Sequence, residues 1–275
     1  MISTSKIGVA ASRGGGGGGV APYVFILDEY PAYSGFSLQK MKSGYSGSAI
    51  RVRRSSDNAE QDIGFTDNNL DSSSLLTFVG VGDGFITTVY TQNGTSNFIQ
   101  TTANSQPKIV SSGALITDTN GLAAMQFDGV DDYFTNDGIG GPYELDSYQV
   151  GSTTDNNFVM FSGALTDYSY VIEDGGTSTM LHSSYGTPSL YVNNVLKSVS
   201  NRDQVHAAIS IGTPSVVNHF NAHPNRWWIA VRVGSYWTSG YEYDGLIQEF
   251  VFYDVNNTDA DRSAITTILM DKYVP

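Results

Sequence analysis

The feature that most constrains this chain is a repeated rhythm of short β-branched and aromatic segments, separated by runs of Gly, Asn, Asp, Ser and Pro. Tyr23–Leu27, Ser48–Arg53, Phe85–Tyr90, Ala124–Phe127 and Phe158–Phe161 read as strands. So do Tyr168–Ile172, Ser189–Val192, Ala207–Ile211, Trp227–Val233 and Leu246–Tyr253. The separators supply the turns. So many strands at short spacing in 275 residues predict an all-β, two-sheet antiparallel sandwich.

Few helices are expected. Ser37–Lys42 and Ser72–Phe78 are long enough for one to three turns. The C-terminal segment carries the stronger signal: Thr258 is a good N-cap, and Asp259 and Asp261 fall in the first turn. Ala264, Ile265, Ile268 and Leu269 then line one face, as in a helix docked on a sheet.

Gly14–Gly19 is the main low-complexity element. Six glycines maximise backbone freedom, and Val20-Ala21-Pro22 follows them where a phosphate-binding loop would need Lys and Ser or Thr. Residues 1–19 therefore read as an arm and tether, with Ile2, Ile7, Val9 and Arg13 as its attachment contacts, and residues 20–275 as one sandwich domain. The first residues lack the apolar core of a secretion signal, and no apolar run approaches the roughly 20 residues needed to cross a bilayer.

Charge narrows the function classes. With 14 Lys plus Arg against 27 Asp plus Glu the net charge is −13, the wrong sign for sequence-independent nucleic-acid binding. The absence of cysteine removes disulfides, thiol catalysis and Cys-ligated zinc. Between Lys108 and Lys197 there are eleven acids and no Lys or Arg. That stretch must face water, bind cations or meet basic groups from elsewhere. A solvated surface is the favoured reading of that stretch; Arg51, Arg53 and Arg54 form a basic cluster, of which Arg51 and Arg53 alternate onto one strand face and have the charge to pair with it, within the chain or across a subunit boundary.

Two stretches carry a family resemblance. "QFDGVDDYF" (Gln126–Phe134) and "DGLIQEFVFYD" (Asp244–Asp254) resemble the opening and closing strands of a concanavalin A-like, laminin-G-type jelly roll, which lie side by side in that fold. "SLYVNNVLKSV" (Ser189–Val199) resembles a hairpin of the same fold. Upstream, "SGYSGSAIRVRRSSDNAEQDIGF" (Ser43–Phe65) and "LLTFVGVGDGFITTVYTQNG" (Leu75–Gly94) are similar to the catalytic domain of fungal alpha-L-arabinofuranosidase B. They look closer still to relatives in tailed bacteriophages and marine bacteria, over about residues 28–274.

The resemblance implies a retaining glycosidase scaffold, whose chemistry needs two carboxyl groups about 5–5.5 Å apart. The family's nucleophile is the Glu of Asp-Met-Glu-Asn-Asn-Leu; the matching run Leu190–Val195 places Val192 there. Its acid/base Asp follows a Gly-Gly pair; the matching run here is Val233-Gly234-Ser235-Tyr236. Its Tyr-Asp-Gln-Ser-Gly-Asn-Gly turn has become Tyr90-Thr91-Gln92-Asn93-Gly94. The resemblance therefore implies a fold retained and a hydrolase activity lost, with no catalytic residue and no cofactor.

Other candidates are weighed on chemistry alone. His219 and His223 stand at i, i+4 but among Asn and Pro, which predicts a surface loop and no metal. Asp128, Asp131 and Asp132 have oxygens that suit Ca²⁺, yet a tight turn beside a charged edge strand accounts for them. A sugar site needs exposed aromatic faces beside polar groups; Trp237 and Tyr241, with Glu242 and Asp244, are the set with that composition. Glu173 with Asp174, neighbours on one strand, would point to opposite faces. The expectation is a non-enzymatic structural protein of a tailed-phage virion, exposed on capsid or tail and contacting other virion proteins. It is expected to form a homo-oligomer, with a host-surface glycan as a further partner and no nucleic acid or membrane; the alternatives are a carbohydrate- or receptor-binding module and an active glycosidase using other carboxylates, such as Glu242 with Asp244.

Overall fold

The computed structural model describes residues 22–138, 145–153, 157–163, 169–173, 189–201, 204, 207–209, 212–222, 231–235, 242–254 and 257–274, with the backbone alone at 145, 157–163, 169–173 and 220–222. Among the described residues every strand pairing is antiparallel, and the strands build two layers.

The first sheet runs from edge strand β16 (Val195–Lys197) through β15 (Ser189–Val192), β17 (Ser215–Ala222) and β12 (Leu145–Thr153) to β19 (Asp244–Tyr253). On the far side of β19, β10 (Met125–Asp128) pairs with its beginning and β1 (Ser34–Ser37) with its end. The register Met125↔Ile247 to Asp128↔Asp244 brings the two jelly-roll signature stretches together. Asn193 and Asn194, with φ of 49° and 65°, form the turn of the β15–β16 hairpin, a conformation that asparagine tolerates.

The second sheet runs β3 (Glu60–Ile63), β2 (Ile50–Arg54), β6 (Gly84–Val89), β7 (Phe98–Ile99), β11 (Phe134–Asn136), β18 (Val231–Val233), β13 (Asn157–Gly163) and β14 (Ser169–Glu173). The β8 (Lys108–Ser111) and β9 (Ala114–Leu115) hairpin also lies on β6. Gln126 opposite Lys108 links the layers. A two-residue pair, β4 (Phe65–Thr66) and β5 (Asn69–Leu70), stands apart.

Phe36, Phe127, Phe134, Val217, Val233 and Phe250 pack between the sheets. The outer face of the first sheet is buried as well. There Tyr148, Val150, Val216, Val251 and Tyr253 pack against Ile265, Leu269 and Tyr273 of the C-terminal helix α3 (Asp259–Tyr273), and against Ile26 and Leu27 of α1 (Ile26–Glu29). Burial on both faces explains why β19 reads as a near-continuous apolar run where a half-exposed strand would alternate. The helix starts as its sequence predicts: Thr258 and Asp261 form a reciprocal capping box, with Asp261 N–H donating to Thr258 Oγ1 at 3.1 Å. The middle helix, α2 (Ser72–Val79), is capped by Asp71, which accepts the Ser74 N–H.

Four expected elements differ. Tyr23–Leu27 is no strand; its last two residues, Ile26 and Leu27, open α1 and are buried beside α3. Ser37–Lys42 is no helix, because Ser37 pairs with Glu249 in β1 and Gln39 bridges to Asn69. Within Ala207–Ile211, Ala207 and Ala208 are helical and Ile209 is a buried bend. The polar run around His219 is not a loop: β17 is held by ladders to β12 and β15 on both sides. Only Val231–Val233 of the strand expected over Trp227–Val233 falls among the described residues. No helix among them is long and apolar enough to cross a membrane.

Candidate functional site

The loop end of the sandwich where β10 stops and β19 begins gathers the acids that the sequence singles out. Gly129 turns the chain there with φ of 72°, and a Cβ on it would lie 2.8 Å from Asp244 Cβ, so glycine is required. Asp128 Oδ1 accepts the Val130 and Asp131 N–H groups at 2.9 and 3.3 Å. Asp132 Oδ2 accepts the Asp128 N–H at 3.1 Å, and Ser105 Oγ donates to Asp131 Oδ2. These bonds are the tight turn that the sequence predicts. The three carboxylates also offer one oxygen each within 4.8 Å of one another, the donor type of a hard cation. Asp132 is only 4% exposed, and burial, reinforced by the Asp128 charge, pushes its carboxyl up to about 7.

Asp244 lies opposite Asp128 in the ladder, and Glu242 bridges to Ser235 one turn away. Both are half-buried, so the acidic half of the expected sugar site sits beside the Asp128 turn. Trp237 and Tyr241 lie outside the described residues, as do His223, Asp174 and the arm residues Ile2, Ile7, Val9 and Arg13.

The positions matched to the resembled glycosidase carry no carboxylate. Val192 ends β15 with its side chain in the core between the sheets, 6% exposed. Val233 is fully buried, and Gly234 adopts φ of 94° with Phe127 ring carbons 2.4 Å from where a Cβ would stand. Ser235 follows, nearly buried.

The other buried acids among the described residues are committed to structure. Asp118 accepts the Asn120 and Leu122 N–H groups and the Gln248 amide. Asp146 accepts the Asn257 N–H ahead of α3. Glu249 accepts the Ser37 and Tyr273 hydroxyls, both at 2.8 Å. Within the chain, the basic cluster finds its partners locally, outside the acidic stretch. Arg51 pairs with Asp62 and Arg54 with Asp57, while Arg53 donates to Gln106, Asn58 and the Ala103 carbonyl.

One polar group was missed in the sequence. Ser147 and Gln149 of β12, and Ser215 and His219 of β17, alternate with residues that pack under α3, which turns them to the inter-sheet side, and none is more than 2% exposed. Ser147 Oγ lies 3.4 Å from His219 Nδ1, and burial pushes the imidazole down to about 3, so the ring stays neutral. The Gln149 amide faces the Tyr243 phenol, yet neither of its polar atoms nor the Ser215 hydroxyl makes a hydrogen bond of good geometry. The available signal was the alternation Ser147-Tyr148-Gln149-Val150, whose polar members look solvent-facing until the neighbouring strands are placed.

No family model matches the sequence, and no curated protein matches it. The fold is similar to solved arabinofuranosidases: a GH54 α-L-arabinofuranosidase soaked with a cyclic sulfate inhibitor (TM-score 0.59), a point mutant of a GH54 α-L-arabinofuranosidase soaked with 4-nitrophenyl α-L-arabinofuranoside (0.58), and an arabinofuranosidase complexed with arabinofuranosyl-α-1,2-xylobiose (0.55). Each is 16% identical and is matched over 89% of this chain and 63% of its own length. This chain thus spans less than two thirds of those chains, and at that identity the likeness establishes a shared β-sandwich fold.

Proposed function

We propose that this chain is a non-hydrolytic β-sandwich domain serving as a structural component of a tailed-phage virion, held to the particle by residues 1–19. The observation that carries the non-hydrolytic part is Val192, packed in the core where the resembled enzymes carry their nucleophilic Glu, with no carboxylate at 233–235. Without a carboxyl group at those matched positions, the retaining mechanism of the resembled enzymes lacks its nucleophile and its acid/base there. The Gly14–Gly19 run supports display on a particle, in keeping with the phage-type resemblance read from the sequence alone. Deleting residues 1–19 tests this: the truncated protein should keep its near-ultraviolet circular dichroism yet fail to join particles. Full incorporation of the truncated protein would refute the tether role.

A second reading, sugar binding without hydrolysis, draws on Gln149 and Ser215. Beyond the approach of the Gln149 amide to the Tyr243 phenol, their polar atoms make no hydrogen bond of good geometry on the inward face of the first sheet, and a polyhydroxylated ligand would offer donors and acceptors there. The fold neighbours were solved with arabinosides. Titration with arabinose at millimolar concentration, in wild type and Gln149→Ala, decides it: saturable heat lost in the variant supports binding, and no heat in wild type removes it.

A further inference from the structure

β16 is an edge of the first sheet: Val192↔Val195, Tyr191↔Leu196 and Leu190↔Lys197 pair it with β15, and no other described strand pairs with it. Its side chains leave that edge poorly guarded. Val195 is 56% and Leu196 57% exposed, and Lys197 is the one charge on it. The edge of the second sheet is built differently, with Glu60, Gln61 and Asp62 all exposed on β3. Charges along an edge oppose pairing with another segment, whereas free N–H and C=O groups flanked by apolar side chains invite it.

The chain contains a segment of suitable chemistry. Lys6-Ile7-Gly8-Val9 sets Ile7 and Val9 two residues apart, on one face of an extended strand. Residues 1–21 carry Lys6 and Arg13 and no acid, so the remainder of the chain carries −15. Asp259, 82% exposed, and Asp261 open α3 beside the β15–β16 hairpin. That proximity is fixed by Arg262 Nη1 donating to Asn194 Oδ1 at 2.8 Å, with the guanidinium 3.7 Å from the Tyr191 ring centroid.

The reach also fits. Tyr23 donates to the Lys40 carbonyl at 2.6 Å, and the Lys272 ammonium lies 5.1 Å from its ring, so Tyr23, which follows the arm in the sequence, lies at the C-terminal end of α3. Arg262, at the hairpin, is ten residues back along the helix, about 15 Å at 1.5 Å per residue. A flexible glycine-rich chain of the length of residues 8–22 has an expected root-mean-square span of about 20 Å. A linker whose span matches its gap gives the highest effective concentration of the tethered strand.

From this match we infer that the N-terminal arm docks on its own body, adding Lys6–Val9 as a strand along β16 with Ile7 beside Leu196. The docked arm covers the apolar edge and brings Lys6 and Arg13 toward Asp259 and Asp261. The inference does not depend on display on a particle, since it concerns the isolated full-length chain.

The absence of cysteine makes the test direct. In the full chain, the Ile7→Cys/Leu196→Cys double variant should oxidise to an internal disulfide at least 10-fold faster than Ile7→Cys/Val81→Cys, whose second site is 94% exposed between α2 and β6. Equal rates for the two pairs would overturn the docking, and disulfide-linked dimers in place of monomers would overturn docking within one chain. As a second readout, Ile7→Asp/Val9→Asp should speed amide exchange at 195–197 at least 10-fold without changing exchange in β19. Unchanged exchange at 195–197 would also refute the proposal.

Discussion

Lys272 Nζ lies 3.6 Å from Glu249 Oε2, joining the last turn of α3 to the middle of β19 with side chains 6% and 0% exposed. A buried charge left without its partner costs far more than the pair contributes. Lys272→Ala is therefore expected to destabilise the fold by about 3–5 kcal/mol. The Glu249→Gln/Lys272→Met double variant should recover most of that loss, as read by urea denaturation at pH 7. Equal losses in single and double variants would contradict a coupled pair.

Asp132 gives the fold a pH dependence of defined sign. Its carboxyl is pushed from 3.8 up to about 7, so between those values the folded state holds a proton that the unfolded chain has lost. Stability then falls as pH rises through that window, by no more than about 1.4 kcal/mol per pH unit. Asp132→Asn keeps an oxygen for the Asp128 N–H and removes the charge. The variant should be more stable than wild type by about 1–3 kcal/mol at pH 8, with the difference vanishing near pH 4. Identical pH profiles in urea melts would refute the burial of this carboxyl.

Val192→Glu restores the residue type of the resembled nucleophile but places it in the inter-sheet core. The expected outcome is a loss of about 3 kcal/mol or more, partly relieved at low pH where the new carboxyl is protonated, and no gain of hydrolysis. A variant as stable as wild type would show that position 192 faces a solvated cleft.

Gly234→Ala tests the close approach behind that region. Its φ of 94° and the Phe127 ring at 2.4 Å leave no room for a methyl group, so a loss of about 2–4 kcal/mol is expected in thermal melts.

Much of the fold was legible because local chemistry and tertiary packing agree. Thr258, Asp261, Ile265 and Leu269 announce α3, and Met125–Asp128 and Asp244–Tyr253 carry the signatures that the ladder brings together. The errors arise where burial overrides local pattern. Ile26 and Leu27 read as strand because an apolar run does not show its period, and they form a helical turn under α3. His219 and Asn218 read as loop because polar residues rarely sit in a strand paired on both sides; here Asn218 donates to the Ser147 carbonyl. The inward group Ser147, Gln149, Ser215 and His219 depends on long-range pairing between β12 and β17, which no local window contains. For Asp128, Asp131 and Asp132 the turn was legible, whereas the burial that raises Asp132 was not.

The central proposal is that this β-sandwich does not hydrolyse arabinofuranosides. The most direct measurement is release of 4-nitrophenol from 4-nitrophenyl α-L-arabinofuranoside by the purified full-length chain. The account predicts a rate equal to buffer alone across pH 4–8. Release above buffer that is abolished by Glu242→Gln or Asp244→Asn would contradict it.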